Sequence, residues 1–251
     1  MAAECIFCGA SPTSGEHVLG RAWIKHLAKQ VRPELGAFEF SIVKGYRGKS
    51  RLEKTWMAGE PDYVVNCACE RCNNGWMERL DTSAHDLLTP LALGESGRLG
   101  TLSEIATVSG WAAKVAACAI SPYLDDDHST ALGFIRTRLL PAKGTRVWLG
   151  YSEVESPEVS MRPVQLRTKP LPFSGVEGYC ATFKIHRLVF QVAYLPDPFD
   201  QRRESREDWG KYLVQLWPTD YRVVPFPSAA TPPIDLIALG FLPTSFVTGE
   251  P

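Results

Sequence analysis

Residues 5–9 read Cys-Ile-Phe-Cys-Gly, and residues 69–76 read Cys-Glu-Arg-Cys-Asn-Asn-Gly-Trp. Each stretch contains a Cys-x-x-Cys pair, whose two-residue spacing lets both sulfurs reach one ion without strain. Four thiolates complete a closed tetrahedral zinc site, which stabilises a small fold and performs no chemistry of its own. The sequence therefore predicts one structural zinc ion with four ligands: Cys5, Cys8, Cys69 and Cys72.

The chain contains seven cysteines, an odd number that argues against a disulfide framework and for a metal site. Cys67 could compete with Cys69 as a zinc ligand, but the Cys-x-x-Cys spacing favours Cys69. Cys118 lies in an apolar helical stretch and Cys180 in an apolar strand, so we expect both to be inert core residues.

The composition is that of an ordinary globular protein, with 45% of the 251 residues hydrophobic and 22% charged. The N-terminus lacks the basic and apolar segments of a secretion signal, and no apolar run is long enough to span a membrane. We therefore expect a cytoplasmic protein without a membrane partner. The formal net charge of −1 differs from that of many nucleic-acid binders, but a local basic patch can still contact phosphates.

A glycine-rich stretch at residues 94–100 divides the chain into two predicted domains. Residues 1–93 would form a zinc-containing domain, and residues 101–251 a second domain of unknown role. Recognition of DNA, homodimerisation and binding of another partner all remain open for this second domain. The expected fold class is α+β, with the zinc module followed by a helix and a mostly β unit.

Apolar spacing in the first domain suits a helix or a strand-to-helix transition over residues 16–30, and alternation suits a strand over residues 38–43. A further helix is expected to start at Asn73 and to end near Pro90 and Gly94. Proline interrupts a helix, and glycine often follows its last turn.

The second domain is expected to begin with a helix over residues 103–121, opened by a capping box of Thr101 and Glu104. Pro163 indicates an edge strand or a bulge, and the charged residues 197–208 indicate an exposed loop. Five short alternating runs predict strands, at residues 146–151, 159–167, 179–185, 188–195 and 212–216.

Between the two cysteine pairs, residues 16–19 read Glu-His-Val-Leu. The order of the motifs, Cys-x-x-Cys-Gly, an acidic residue followed by His, and Cys-x-x-Cys-Asn, resembles the zinc-containing HNH, or ββα-metal, endonucleases. The likeness is greatest to the subgroup with Asn as the last motif residue, and it covers residues 4–81, about a third of the chain. It implies a treble-clef or ββα-metal fold for this module and a metal-dependent DNA endonuclease activity.

The resemblance implies a role for each matching residue. His17 would be the general base that deprotonates the attacking water, and Glu16 and Asn73 would bind a catalytic Mg²⁺ or Mn²⁺ ion. A neutral imidazole can accept a proton near pH 7, and carboxylate and amide oxygens suit a hard cation. The ion would neutralise the scissile phosphate and stabilise the leaving oxygen.

Two features depart from the family pattern. The acid is Glu16, where aspartate is more usual, and the extra methylene displaces its carboxylate. The middle Asn of the family has two candidates here, Asn66 and Asp62. On the following helix, Glu78 and Asp81 share one face. They could join the metal site, but we expect them to be solvated.

A second hypothesis is a non-catalytic zinc-binding module for nucleic acid or protein, in which Glu16 and His17 are vestigial. Catalysis requires Glu16, His17 and Asn73 to converge within about 5–6 Å on an open cleft, a separation that one hydrated ion could bridge. The remaining histidines match no motif position and are expected to be structural or surface residues: His26, His85, His128 and His186.

A basic stretch lies at residues 44–54, with Glu53 as its one acid. We expect it to form a flexible loop that follows a DNA backbone, because lysine and arginine side chains contact phosphates without reading sequence. The alternative is a loop that is merely solvated. The candidate DNA-binding residues are Lys44, Arg47, Lys49, Arg51 and Lys54.

Overall fold

The computed structural model describes residues 4–11, 13–31, 38–46, 49–58, 63–95, 97–123, 129–151, 159–167, 177–195, 213–219 and 224–226. Helices in this part of the chain combine with one seven-stranded sheet and two two-stranded sheets, which confirms the predicted α+β class. No helix within these ranges is both long and apolar enough to cross a membrane. Four predicted features lie outside the described residues: Arg47, Asp62, His128 and the loop at 197–208.

Two antiparallel strands hold the cysteine-rich end of the protein together. Strand β1 (Thr13–His17) pairs with β4 (Val64–Cys69), although they are far apart in sequence. The chain between them forms helix α1 (Arg21–Val31) and then strands β2 (Phe38–Tyr46) and β3 (Lys49–Ala58). A helical segment follows β4 directly, so that both cysteine pairs lie beside a strand pair and the start of a helix.

This helical segment begins at Glu70, before the predicted start at Asn73. Helix α2 (Glu70–Cys72) leads through a π-helical turn (Asn73–Met77) into α3 (Glu78–Ala92). Apolar residues at helical spacing turn α3 towards the core, and the buried ones are Leu80, Ala84, Leu88, Leu91 and Ala92.

Helix α3 continues past Pro90 and ends just before Gly94. Pro90 lies inside the helix, where it removes one hydrogen bond close to the end, so the expectation that it terminates α3 is wrong. The Gly94 amide donates to the Leu91 carbonyl at 3.1 Å, and the Glu95 amide to the Pro90 carbonyl at 2.9 Å. This Schellman arrangement requires the φ of +81° that Gly94 adopts.

Helix α4 (Leu102–Ile120) is buried over most of its length and packs on α3 and on the large sheet. The predicted capping box is present, since the Thr101 side chain accepts from the Glu104 amide and the Glu104 carboxylate accepts from the Thr101 amide. A Cβ atom at Gly110 would lie 2.1 Å from the carbonyl oxygen of Leu139, so this close approach requires glycine.

A helix that the sequence analysis did not identify, α5 (Ser129–Arg138), precedes the back-half strands. Those strands confirm the five predicted runs, with ends shifted by one or two residues. The remaining strands are β5 (Gly97–Leu99), β6 (Thr145–Tyr151), β7 (Val159–Arg167), β8 (Glu177–Ile185), β9 (Leu188–Tyr194), β10 (Leu213–Trp217) and β11 (Val224–Phe226). The large sheet has the strand order β10-β6-β9-β8-β7-β2-β3.

The described part of the basic stretch, residues 44–46 and 49–54, lies in two strands. Strands β2 and β3 pair in an antiparallel register, with Lys44 opposite Arg51. Strand β2 also pairs in parallel with the distant strand β7, a contact that local composition does not reveal. The expectation of a flexible loop here is therefore wrong.

Pro163 lies in β7, which is an interior strand between β2 and β8, so the predicted edge position is wrong. The parallel pairing of β7 with β2 passes from Met161 to Val164 without a paired residue at Pro163. Proline has no N–H to donate, and the interruption accommodates it inside the sheet.

Within the glycine-rich stretch 94–100, residues 97–99 form a short strand. Strand β5 pairs with β11, and Leu99 is 1% exposed. The division into residues 1–93 and 101–251 stays a prediction. Strands from both parts nevertheless share the large sheet and one hydrophobic core.

Candidate functional site

Four cysteine sulfurs come together beside the β1–β4 pair: Cys5, Cys8, Cys69 and Cys72. The four Sγ atoms all lie within 4.8 Å of one another, and that of Cys8 is 3.6 Å from that of Cys69 and 3.7 Å from that of Cys72. Sulfurs held about 2.3 Å from a tetrahedral zinc ion are about 3.8 Å apart. The cluster can therefore hold a metal ion such as zinc, and Cys69 belongs to it, as predicted.

A tight turn shapes the first cysteine pair. The amides of Cys8 and Gly9 donate to the Cys5 carbonyl at 3.3 and 2.8 Å, and Gly9 adopts a φ of +71° that favours glycine. The Ile6 amide donates to the Cys67 carbonyl at 2.9 Å, which fixes the turn against β4. The backbone of Cys67 thus supports the cluster although its sulfur is not part of it.

The four thiols would not all ionise without a cation. Burial raises the pKa of Cys72 to about 12 and also raises the pKa of Cys5. Burial opposes ionisation of Cys8 too, but hydrogen bonds with the Ala10 backbone and with neighbouring thiols lower its pKa to about 7. Because cysteines bind zinc as thiolates, uptake of the ion should release protons.

The other cysteines are buried, as expected for Cys118 and Cys180. Cys67 and Cys118 are 2% and 0% exposed and contact each other, and burial raises the pKa of Cys118 well above its ordinary value. Burial also raises the pKa of Cys180, to about 12. Thiols with such pKa values are unreactive near pH 7.

Glu16 and His17 lie on opposite faces of β1, because successive residues of a strand point to opposite sides. Glu16 is paired with Val65, and both are buried, at 3% and 6% exposed. His17 is paired with Val64, which is 40% exposed, and is itself partly exposed. The strand therefore separates two side chains that catalysis needs together.

The Glu16 carboxylate belongs to a buried ion-pair network. Lys114 of α4 places its Nζ 3.3 Å from Glu16 Oε1 and 2.7 Å from Asp81 Oδ1 of α3. The Lys114 side chain is 0% exposed and that of Asp81 16%, so the expectation that Asp81 is solvated is wrong. Glu78 is exposed, as expected.

The network keeps its lysine charged. Burial disfavours the ammonium form of Lys114, but Asp81 and Glu16 outweigh burial and raise its pKa above the ordinary value. Burial raises the pKa of both carboxyls, and the charge of Lys114 opposes that rise. The sequence holds one signal for this network, a single lysine in the apolar stretch 111–120, because a buried charge requires a partner.

Asn73 joins the helical segment to β1. Its Nδ2 donates to the Gly15 carbonyl oxygen at 3.2 Å and to the Ser14 hydroxyl oxygen at 3.4 Å. Asn66 is exposed near the same strand, with its Oδ1 3.8 Å from the position of a Cβ atom on Gly15. The alternation of β1 turns Glu16 into the core and leaves His17 on the opposite face.

His85 of α3 is half-buried and packs against core aromatic residues. Its ring stacks on Trp23 of α1, with centroids 4.2 Å apart and 8° between the planes. Burial, and then the charge of Lys114, lower the pKa of His85 from 6.5 to about 3. His26 is on the surface, where it shares a 3.1 Å hydrogen bond with Gln30, and His186 is buried.

We expect His85 to make the protein sensitive to acid. The unfolded chain binds a proton at this imidazole below about pH 6.5, whereas the folded protein leaves it neutral down to about pH 3. The stability contributed by the neutral ring is thus complete above pH 6.5 and decreases by about 2 kcal/mol at pH 5. His85→Phe should remove this decrease when urea unfolding is measured from pH 7 to pH 5. His26→Gln is the control, and an unchanged pH dependence in His85→Phe would contradict the assignment.

Strands β2 and β3 carry four of the candidate DNA-binding residues: Lys44, Lys49, Arg51 and Lys54. Comparisons of the chain with protein-family models, curated proteins and solved structures gave no match. The resemblance to HNH endonucleases therefore rests on the residues of the three motifs.

Proposed function

We propose that this chain is a zinc-stabilised module that binds DNA without cleaving it. The burial of Glu16 against Lys114 carries the proposal. A Mg²⁺-type ion keeps several of its waters and needs carboxylate oxygens that face solvent. The carboxylate of Glu16 is 3.3 Å from an ammonium group with a 0% exposed side chain, so it is not available to such an ion.

Release of Glu16 towards solvent would be unfavourable. The rotation would leave Lys114 with Asp81 as its remaining partner in the network, and removing one partner of a buried ion pair costs about 3–5 kcal/mol. An ion that needed Glu16 as a ligand would have to offset this cost before it bound. The chain therefore has both motif residues, Glu16 and His17, but its fold keeps Glu16 from binding a metal ion.

DNA is the partner that the motif order and the basic hairpin favour. Residues 44–54 concentrate five of the 27 lysines and arginines of the chain. Phosphate contacts from such residues give affinity without a catalytic metal and without reading bases. The free thiols of a zinc site persist where cysteines stay reduced, so we place the protein in the cytoplasm.

A metal-dependent DNA endonuclease is the second candidate, and one observation favours it. The hydrogen bond from Asn73 to Gly15 joins the last motif residue to the strand that carries His17. In this candidate His17 is the general base, and Glu16 and Asn73 bind Mg²⁺ or Mn²⁺ once Glu16 has left Lys114.

The two candidates differ in a plasmid assay. Zinc-loaded protein is incubated with supercoiled plasmid and Mg²⁺ or Mn²⁺, next to His17→Ala, and binding is followed by gel shift. We expect a shifted band and no more nicking by the parent than by His17→Ala. Nicking that His17→Ala lowers by about 10²–10⁴-fold would establish the endonuclease instead. Absence of any shift at low salt would exclude DNA as the partner.

A further inference from the structure

Trp76 lies beside both cysteine pairs of the cluster. It follows Cys72 by four residues, within the turn that Gly75 bends by adopting a φ of −110° and a ψ of −105°. Its ring meets the ring of Phe7, which belongs to the turn of the first cysteine pair, with centroids 5.1 Å apart and 81° between the planes. The side chains of Trp76 and Phe7 are both buried, at 8% and 2% exposed. The indole therefore connects the turn of the first pair with the helical segment of the second.

The indole N–H of Trp76 is a polar group that this packing does not explain. Its Nε1 is buried, and it has no hydrogen-bond partner within the described ranges of the chain. Indole carries a donor and no acceptor, and a buried donor that stays unpaired costs about 1–3 kcal/mol. Buried tryptophans therefore usually have an acceptor beside the ring nitrogen.

The sulfur of Cys72 is the acceptor next to this indole. Burial raises the pKa of Cys72, and an interaction with the Trp76 side chain opposes that rise. A neutral thiol accepts hydrogen bonds weakly, whereas a thiolate that binds zinc carries negative charge and accepts charge-assisted hydrogen bonds. The backbone of Ala10 already supplies such an interaction to Cys8 in the first pair. For Cys72 the donor is a side chain.

We propose that Trp76 is a positioning residue of the zinc site, which donates from its Nε1 to the Cys72 thiolate and thereby strengthens zinc binding. The inference rests on the zinc part of the proposed function and is independent of DNA. Groups that hydrogen-bond to a metal ligand fix its orientation, and their loss typically lowers metal affinity by about 10–100-fold. A ring that served packing alone would affect zinc no more than other core tryptophans do.

Zinc affinity of the full-length protein at pH 7, measured by competition with a chelator, tests this donor. Trp76→Phe keeps an aromatic ring next to Phe7 and removes the N–H. Trp23→Phe is the matched control, because Trp23 is 6% exposed and donates from its Nε1 to the Thr89 hydroxyl at 2.9 Å, outside the cluster. Each variant thus loses one buried indole N–H, and circular dichroism verifies that both fold.

We expect Trp76→Phe to weaken zinc binding by about 10–100-fold and Trp23→Phe to stay within about threefold of the parent. The absorption spectrum of the cobalt-substituted protein adds a readout that packing alone would not move. A hydrogen bond to a thiolate lowers the energy of the sulfur lone pairs. Its loss should therefore shift the sulfur-to-cobalt charge-transfer band of Trp76→Phe to longer wavelength, while the band of Trp23→Phe keeps its position.

A second variant removes the N–H and preserves the shape of the indole. Trp76→benzothienylalanine replaces the N–H by sulfur, so it tests the donor even if Trp76→Phe fails to fold, and it should show the same loss of affinity and the same shift. Equal losses of zinc affinity in Trp76→Phe and Trp23→Phe, or a cobalt band that either Trp76 variant leaves in place, would overturn the inference and leave the proposed function standing. A parent protein that binds no zinc would overturn both.

Discussion

Replacement of Cys72 by serine should abolish stoichiometric zinc binding and lower the free energy of unfolding by about 5 kcal/mol or more. Cys72 supplies one of four sulfurs within 4.8 Å and ends α2 directly before the π-helical turn. Its loss removes a zinc ligand and frees the start of the helical segment. Structural zinc sites contribute about 10–16 kcal/mol of apparent binding free energy at pH 7, and the substitution forfeits a large part of it.

Elemental analysis and urea unfolding measure the two effects in the same preparations. Cys180→Ala is the matched control, because Cys180 is a buried cysteine outside the cluster. It should keep one zinc per chain and cost about 1 kcal/mol, as an ordinary core truncation does. A parent protein without zinc, or a Cys72→Ser variant with a full equivalent, would refute the zinc assignment.

Lys114→Met should destabilise the protein by about 3–5 kcal/mol, because it leaves the carboxylates of Glu16 and Asp81 in the core without their shared cation. Methionine approximates the length of the lysine stem, so the change removes mainly the charge. Urea unfolding of zinc-saturated protein at pH 7 gives the magnitude.

The neutralised network separates the loss of charge from the loss of packing. Adding Glu16→Gln and Asp81→Asn to Lys114→Met removes all three charges and should recover most of the lost stability. If Lys114→Met unfolds at the urea concentration of the parent, the ion-pair network does not exist in solution. The proposal that Glu16 is withheld from metal binding would then lose its basis.

Features with a local cause could be predicted from the sequence. The two-residue spacing of each cysteine pair determines which sulfurs can share an ion, and the structure brings those four sulfurs together. The capping box at Thr101 and Glu104 lies within a single helical turn, so the two residue types are enough to predict it. The five runs of the back half also became strands, although β9 is buried along its whole length and therefore has no solvated face.

The predictions that failed depended on distant partners. Residues 44–54 have the glycines and charges of a loop, but residues 44–46 belong to β2, which pairs with β7 more than a hundred residues away, and residues 49–54 belong to β3, which pairs with β2. The direction of Glu16 depends on Lys114, which is 98 residues further along the chain. The motif gives the order of Glu16, His17 and Asn73 along the chain. Which of these side chains faces water depends on the packing of the core, and the motif carries no information about that packing.

The hairpin of β2 and β3 has a consequence for how this protein could have evolved. It lies in sequence between β1 and β4, yet it completes a sheet whose other strands come from the far half of the chain. A gene segment ending near residue 93 would carry both cysteine pairs but would take two strands away from that sheet, exposing an unpaired edge on β7. Because the hairpin lies within the segment that carries the cysteine cluster, that segment could not be transferred without disrupting the large sheet.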